Sequence, residues 1–163
     1  MRGAFFEYRA MQQNYLLTQE GIDELKKELN ELQTVRRPNA VKRVTAAREQ
    51  GDLSENSEYT AAREDLDFVD DRIVELEEIL RVAKPITSGK TNGKVQIGST
   101  VVVELNSKTH EFMIVGEPEA NPVAKKISQS SPLGKALMGK TRGDTIEVAA
   151  PAGTMVYKIV EIR

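Results

Sequence analysis

Apolar residues recur at steps of three and four positions through the first half of the chain. The more regular set comprises Tyr59, Ala62, Leu66, Val69, Ile73, Leu76, Leu80 and Ala83. This spacing repeats every 3.5 residues and is typical of a coiled coil. A shorter set precedes it and comprises Ile22, Leu25, Leu29 and Leu32. The pattern predicts two helices that pack along apolar seams.

The two seams predict an antiparallel hairpin, because facing residues in such a hairpin have numbers with a constant sum. Ile22 with Ala83 and Leu32 with Ile73 both sum to 105, as do the two pairs between them. The chain should therefore reverse between residues 52 and 53, beside Gly51, a residue suited to ending a helix. With about 30 residues per arm at a rise of about 1.5 Å, the tip would stand roughly 45 Å from the base.

Local signals define the start of the first arm and an irregularity within it. Thr18 is placed to cap the helix, and Leu17 and Ile22 have the spacing of a hydrophobic staple. Pro38 removes one helical hydrogen bond and crowds the preceding turn. The seam sum also drifts nearby, so we expect a kink or short break near residues 35–38.

The second half of the chain lacks the helical periodicity of the first half. Short runs of β-branched residues alternate with turn residues and predict strands. These runs are Val95–Ile97, Thr100–Leu105, Glu111–Val115, Thr145–Ala149 and Met155–Ile162. Leu133–Met138 is predicted to form one short helix. The fold class is therefore α+β, with a long antiparallel coiled-coil hairpin followed by a small β-rich domain.

These patterns divide the chain into four parts. Residues 1–17 form an N-terminal extension, residues 18–83 the hairpin with its tip at 51–55, residues 84–93 a linker, and residues 94–163 the second domain. The linker assignment rests on its Pro, Ser, Thr, Asn and Gly residues and its lack of periodicity.

Charge and cysteine content narrow the classes of function. Residues 52–83 carry three Lys/Arg against eleven Asp/Glu, a balance of −8, whereas residues 84–163 carry eleven against seven, a balance of +4. A protein that simply coats nucleic acid would be basic over a whole face. The chain has no cysteine, so disulfides and cysteine metal sites are excluded. No apolar run approaches the about 20 residues that span a bilayer, and we expect a cytoplasmic protein without a membrane partner.

Asp52 and Glu55 at the predicted tip are the foremost candidates for chemistry. One interpretation is a capping box, because acids favour a helix N-terminus. The other is functional: at helical i, i+3 spacing their Cβ atoms would lie about 5–6 Å apart, close enough to share one water or one hydrated Mg²⁺. Two carboxylates on a solvated tip cannot complete the near-octahedral oxygen shell of Mg²⁺. Chemistry at this tip would have to be completed by another molecule.

Three further features require a decision between function and structure. Residues 134–141 (GKALMGKT) match a phosphate-binding loop, but no buried strand precedes them, so a short helix is the preferred interpretation. His110 is the only histidine and is expected on the surface. The first arm carries a basic band that either balances the opposing acids or contacts phosphates. It comprises Arg36, Arg37, Lys42, Arg43 and Arg48.

One long segment carries a family resemblance. Residues 47–64 (AREQGDLSENSEYTAARE) closely resemble the tip of the bacterial Gre family of transcript-cleavage factors. Residues 35–38 (VRRP) and 131–140 (SPLGKALMGK) extend the similarity to both domains, so that it covers nearly all of residues 12–163. The resemblance implies an FKBP-like fold for the second domain. We expect no prolyl isomerase activity, because the domain lacks the aromatic-lined pocket of those enzymes.

The resemblance also implies a partner and a role for particular residues. Gre factors enter the secondary channel of RNA polymerase when the 3′ end of the nascent RNA is extruded by backtracking, and the polymerase then cleaves its own transcript. Asp52 would help hold a Mg²⁺ shared with the polymerase, and Glu55 would position or deprotonate the attacking water. Arg48 and Arg63 would meet RNA phosphates. Docking would fall to the second domain around Ser131 and Pro132. No cofactor of the chain's own is expected, and the chain would not itself be an enzyme.

Three alternatives remain open at this point. The same architecture suits an inhibitor that occupies the channel without supporting cleavage. A nucleotide-hydrolysing enzyme would use Gly139-Lys140-Thr141, and a plain coiled-coil adaptor would need no tip residues at all.

Overall fold

The computed structural model describes residues 15–49, 57–86, 92–150 and 153–163. Within these ranges the chain forms two compact units. The first consists of Asp23–Val82, and the second joins residues 15–22 to Ala83–Arg163. In the described part of the chain, no helix is both long enough and apolar enough to cross a membrane.

The first unit is a pair of antiparallel helical arms. One arm runs through α1 (Gln19–Glu31), a π-helical segment (Leu32–Arg36) and α2 (Arg37–Glu49), and the other is α3 (Ser57–Val82). Polar contacts join the arms: Gln33 to Glu77 at 2.9 Å, Arg37 to Asp70 at 2.7 Å and Arg43 to Glu58 at 2.8 Å. The residue numbers of these partners increase along the first arm and decrease along the second, so the two arms are antiparallel. The predicted turn at Gly51 to Leu53 lies outside the described residues.

Burial along the arms follows the predicted seam with local corrections. Ile22, Leu25, Leu32, Ala62, Val69, Ile73 and Leu76 are buried as predicted. Leu29, Leu66 and Leu80 are only half-buried, whereas Ile79 is buried beside Leu80. On α2 the buried positions are the small residues Ala40 and Ala47. Val35, in the drifting part of the seam, is 51% exposed.

The irregularity near Pro38 takes the form of a π-helical turn. Of the two expected forms, a kink or a short break, the break is wrong, because the helix continues through Leu32–Arg36 with wider turns. The Arg37 N–H donates to the Leu32 carbonyl, five residues back, so the turn gains one residue just before the proline. Buried positions then step by eight from Leu32 to Ala40, instead of seven. One inserted residue therefore explains the drift of the seam.

The start of α1 is capped as predicted. The Thr18 hydroxyl accepts a hydrogen bond from the Gly21 N–H at 3.0 Å. Leu17 is fully buried and Ile22 nearly so, in agreement with a hydrophobic staple.

The assignments of residues 1–17 as an extension and 84–93 as a linker are wrong for the residues next to the hairpin, which form strands. β1 (Leu16–Thr18) pairs in parallel with β2 (Lys84–Ile86), and the Lys84 N–H donates to the Tyr15 carbonyl at 2.8 Å. Strands of three residues are too short to show an alternating pattern, so the sequence alone gave no sign of this pairing. Both strands belong to the second unit.

A buried carboxylate secures the segment around Thr18. Glu119 accepts hydrogen bonds from the Thr18 N–H at 2.9 Å, the Thr18 hydroxyl, and the Gly116 N–H at 3.3 Å. Gly21 lies so close that an added Cβ would stand 1.8 Å from Glu119 Oε1. This side chain therefore links segments 101 residues apart in the sequence.

Replacing Glu119 should destabilise the second unit. Glu119→Ala leaves two buried N–H groups without acceptors, at about 1–3 kcal/mol each, so we expect the free energy of unfolding to fall by about 2–6 kcal/mol. Urea denaturation measures this change. The matched control is Glu117→Ala, an exposed acid in the same segment, which should stay within about 0.5 kcal/mol. Equal effects of the two variants would contradict the assigned role.

The rest of the second unit is a five-stranded sheet. β3 (Thr100–Leu105), β4 (Lys108–Val115), β5 (Lys126–Ser128), β6 (Thr145–Ala150) and β7 (Gly153–Ile162) lie in the order β5-β4-β3-β7-β6. Among the strand pairs of this sheet, β4–β5 is parallel and the others are antiparallel. The core is formed by Val95, Val101, Val103, Ile114, Leu137, Ile146 and Ile159.

The predicted α+β class and four of the predicted strands are confirmed. The short helix, α4, covers Pro132–Leu137. Val95–Ile97 is not a strand, although Val95 is buried in the core. Its N–H donates to the Lys140 carbonyl at 2.8 Å, so an apolar residue here packs without joining the sheet.

Candidate functional site

The tip carboxylates Asp52 and Glu55 fall in residues 50–56, outside the described residues. In the sequence, this segment follows the end of α2 at Glu49 and precedes the start of α3 at Ser57. Within the described ranges no group of three or more His, Asp or Glu side chains could hold a metal ion. The roles assigned to Asp52 and Glu55, including the Mg²⁺ ligand, stay predictions.

Two arginines lie on the arms near the tip. Arg48 is in the last turn of α2 and Arg63 in the second turn of α3. Both are exposed, and neither forms an ion pair with another described residue. Among the described residues, no acid neutralises either guanidinium group. This geometry is compatible with phosphate contacts.

The basic band on the first arm has a mixed role. Arg37 pairs with Asp70 at 2.7 Å, and Arg43 pairs with Glu58 at 2.8 Å and Asp65 at 3.8 Å. The Asp70 carboxylate raises the pKa of Arg37 by accepting its hydrogen bond. Arg36, Lys42 and Arg48 form no ion pair with described residues. The interpretation that the band balances the opposing acids is confirmed for Arg37 and Arg43, and phosphate contacts by the other members stay a prediction.

A cleft that sequence reasoning missed lies between the arms. It has a volume of about 320 Å³ and combines two arginines, an amide, an acid and an aromatic ring. Its lining comprises Arg36, Asn39, Ala40, Arg43, Asp65, Phe68 and Val69. Phe68 is 69% exposed. The only hint of this cleft in the sequence is that Phe68 is an aromatic residue outside the apolar seam of α3.

Ser131 and Pro132, the predicted docking residues, begin α4. The Ser131 hydroxyl donates to the Ser128 carbonyl at 2.7 Å and accepts from the Gly134 N–H at 3.0 Å. It therefore caps the helix and shapes the turn. Pro132 is exposed at the first helical position, so it is the part of this pair that a partner can reach.

A second exposed feature precedes β5 and also escaped sequence reasoning. Val123 is 96% exposed on a turn in which the Asn121 carboxamide oxygen accepts from the N–H groups of Val123 at 3.1 Å and Ala124 at 3.3 Å. The turn is closed by two hydrogen bonds between Asn121 and Lys126. A rigid turn thus presents an aliphatic side chain to solvent.

The phosphate-binding interpretation of residues 134–141 is excluded by their hydrogen bonds. The backbone N–H groups that would hold phosphate already donate within the protein: Gly139 to Val95, Lys140 to Leu137, and Thr141 to Asp144. The Thr141 hydroxyl also donates to Asp144 at 3.0 Å, and these bonds lower the pKa of the Asp144 carboxyl. Helix α4 precedes Gly139 rather than following it, contrary to the requirement of the motif.

His110 lies exposed on β4, as expected for a surface histidine. Its ring stacks on Phe112 with centroids 6.2 Å apart and an interplanar angle of 7°.

Comparison with known proteins identifies the family. The model of the N-terminal domain of transcription elongation factors GreA and GreB matches residues 15–84, and that of their C-terminal domain matches residues 90–163. The chain belongs to the GreA/GreB family of transcription elongation factors.

Two relatives of known name agree with this assignment. The chain is 48% identical to transcription elongation factor GreA of Macrococcus caseolyticus, over 93% of this chain and 98% of the relative. It is 45% identical to GreA of Paracoccus denitrificans, over 90% and 96%. Among solved structures it is similar to GreA factor homolog 1 of Thermus thermophilus, with 29% identity, coverage of 93% and 99%, and a TM-score of 0.45.

Proposed function

We propose that the chain binds RNA polymerase through its secondary channel and stimulates the polymerase to cleave backtracked RNA. The chain contributes residues in trans and is not itself the enzyme. The observation that carries this proposal is the pair Arg48 and Arg63. They are exposed, unpaired with other described residues, and placed on both arms beside the segment that holds Asp52 and Glu55.

The two acids and the two arginines divide the work at the tip. Asp52 supplies carboxylate oxygens, the donors that Mg²⁺ prefers, and Glu55 accepts a proton from, or orients, the attacking water. The Asp52 carboxylate would fill only part of a Mg²⁺ shell, so the polymerase would have to supply the rest. When bound, Mg²⁺ neutralises charge on the reacting phosphate and activates water. Arg48 and Arg63 hold the neighbouring phosphates by charge-assisted hydrogen bonds.

The second unit provides the docking surface in this proposal. Pro132 is exposed at the start of α4 and is held there by the Ser131 cap. A preorganised turn loses little conformational entropy on binding. The interface with the polymerase would therefore include this turn.

Transcript cleavage by defined elongation complexes tests the proposal. A stalled complex backtracked by a few nucleotides should shorten its RNA many times faster when the full chain is added. An active complex that is not backtracked should elongate normally in the same conditions. Slowed elongation without any stimulated cleavage would instead support the channel-occupying inhibitor.

A further inference from the structure

An asparagine followed by a glycine lies exposed in the second unit, just before the bridge between Lys94 and Thr141. Gly93 has a φ of 73°, in the left-handed region that glycine adopts without strain. A Cβ built on Gly93 would meet no atom of the described residues within 4 Å, so the space around this peptide is open. No hydrogen bond joins the Asn92 carboxamide or the Gly93 N–H to another described residue. A side-chain amide therefore adjoins a backbone N–H that the described structure does not engage.

This arrangement permits an intramolecular reaction of the Asn92–Gly93 peptide. The Gly93 backbone nitrogen gives its proton to a base of the solvent and attacks Asn92 Cγ, so that a new C–N bond forms. The bond from Cγ to the side-chain nitrogen breaks, and that nitrogen takes up a proton and leaves as ammonia. The succinimide ring then adds one water at either carbonyl, which gives aspartate or isoaspartate. Glycine favours the ring closure because it has no Cβ to crowd the attacking nitrogen.

The structure protects other asparagines against the same reaction. Asn30 lies in α1 and Asn39 in α2, where the N–H of the following residue belongs to the helical hydrogen-bond ladder. Asn121 precedes Pro122, which has no N–H to act as the nucleophile. The Asn121 carboxamide oxygen also accepts hydrogen bonds from two backbone N–H groups. Each of these three asparagines lacks a backbone nitrogen that is ready to attack.

Asn106 is the closest comparison among the described asparagines, because it is also exposed and also lies in a turn. It forms the turn between β3 and β4 together with Ser107, and the two residues have φ angles of 51° and 63°. The pairing of Leu105 with Lys108 closes this turn, so the hairpin resists the change of backbone angles that ring closure requires. Ser107 also carries a Cβ beside the attacking nitrogen. Asn106 should therefore react more slowly than Asn92.

We propose that Asn92 is a site of spontaneous deamidation in the folded protein and that it reacts faster than the other described asparagines. The product carries a carboxylate two residues before Lys94, and its isoaspartyl form adds one methylene to the main chain. The chain after the site is held in place, because the Val95 N–H donates to the Lys140 carbonyl at 2.8 Å and the Gly139 N–H donates to the Val95 carbonyl at 2.8 Å. The modified protein is therefore a folded isoform with one additional negative charge.

Peptide mapping by mass spectrometry tests the proposal on the full chain, kept folded at mildly alkaline pH and, separately, denatured in guanidinium chloride. In the folded chain, Asn92 should gain one mass unit before any other described asparagine, and an isoaspartate-specific methyltransferase should label the same peptide. Asn92 should react equally fast in both states, because its reaction requires no opening of the structure. Asn30 and Asn39 should react many times faster in the denatured chain, where their helices are lost.

Variants separate the site from its surroundings. Asn92→Gln should lose the modification at residue 92, because the longer side chain must close a larger ring, and Gly93→Ala should slow it, because a Cβ crowds the nitrogen. Asn106→Gln is the matched control and should leave the rate at Asn92 unchanged. Much slower reaction of Asn92 in the folded than in the denatured chain, or earlier modification of Asn106, would overturn the proposal. Loss of the cooperative unfolding transition in the modified protein would overturn the inference that this isoform stays folded.

Discussion

Asp52→Ala and Glu55→Ala should each abolish most of the stimulated cleavage while polymerase binding is largely retained. A positioned general base contributes about 10²- to 10⁴-fold, so we expect losses in this range for Glu55→Ala. Because the two acids act on the same reacting centre, the double variant should lose less than the product of the single losses. Single-turnover cleavage of a backtracked complex, at saturating factor, measures these effects.

The control for charge alone is Glu49→Ala, an exposed acid at the end of α2. It should cleave within about twofold of the unmodified chain, since Glu49 has no assigned contact with Mg²⁺, water or RNA and exposed substitutions without such contacts have small effects. Competition with labelled unmodified factor shows whether each variant still binds polymerase. Normal stimulation by the double variant would refute the mechanism, and a plain adaptor would behave in this way.

Gly134→Ala should destabilise the second unit and weaken its binding to the polymerase. A Cβ at this position would lie 2.0 Å from the Ser128 carbonyl oxygen and 3.0 Å from Gln129 Cα. Both are backbone atoms, so the turn that precedes α4 must move. Overpacking of this kind costs about 1–3 kcal/mol, and the Ser131 cap would be disturbed as well. We expect a lower urea midpoint and weaker polymerase binding.

Lys135→Ala provides the matched control for this prediction, because Lys135 is the exposed next residue of the same helix. It should leave stability unchanged within about 0.5 kcal/mol. Retention of full stability and full polymerase affinity by Gly134→Ala would show that the turn has room and that docking lies elsewhere. Gly134 is thus explained by a close backbone approach, which also removes its apparent role in a phosphate loop.

The hairpin was largely predictable from the sequence because its contacts are local or repeat regularly. Helical periodicity placed Leu25, Leu32, Ile73 and Leu76 on the buried seam, and the constant sum of paired numbers gave the direction of the arms. The π-helical turn was anticipated only as a disturbance near Pro38. The proline shows from sequence alone that one helical hydrogen bond is lost. Whether the helix then breaks, kinks or forms a π-helical turn depends on its packing against α3.

The site was predictable only in part. The tip acids and the nearby arginines were identified as candidates because they belong to a long and therefore specific motif. Their roles were assigned from the family resemblance. The Phe68 cleft could not be seen in the same way. An aromatic residue off the seam lines a cleft only when the opposite arm places Arg36 and Asn39 next to it.

Amino-acid order alone determined the α+β class, the apolar seam, the cap at Thr18 and most strands of the sheet, because each depends on neighbours within a few positions. Tertiary structure decided the parallel pairing of Leu16–Thr18 with Lys84–Ile86 and the burial of Glu119 against Thr18. Those contacts join residues far apart in the chain. No local pattern encodes which distant N–H groups a carboxylate will meet, since that choice is made only when the whole domain closes around its core.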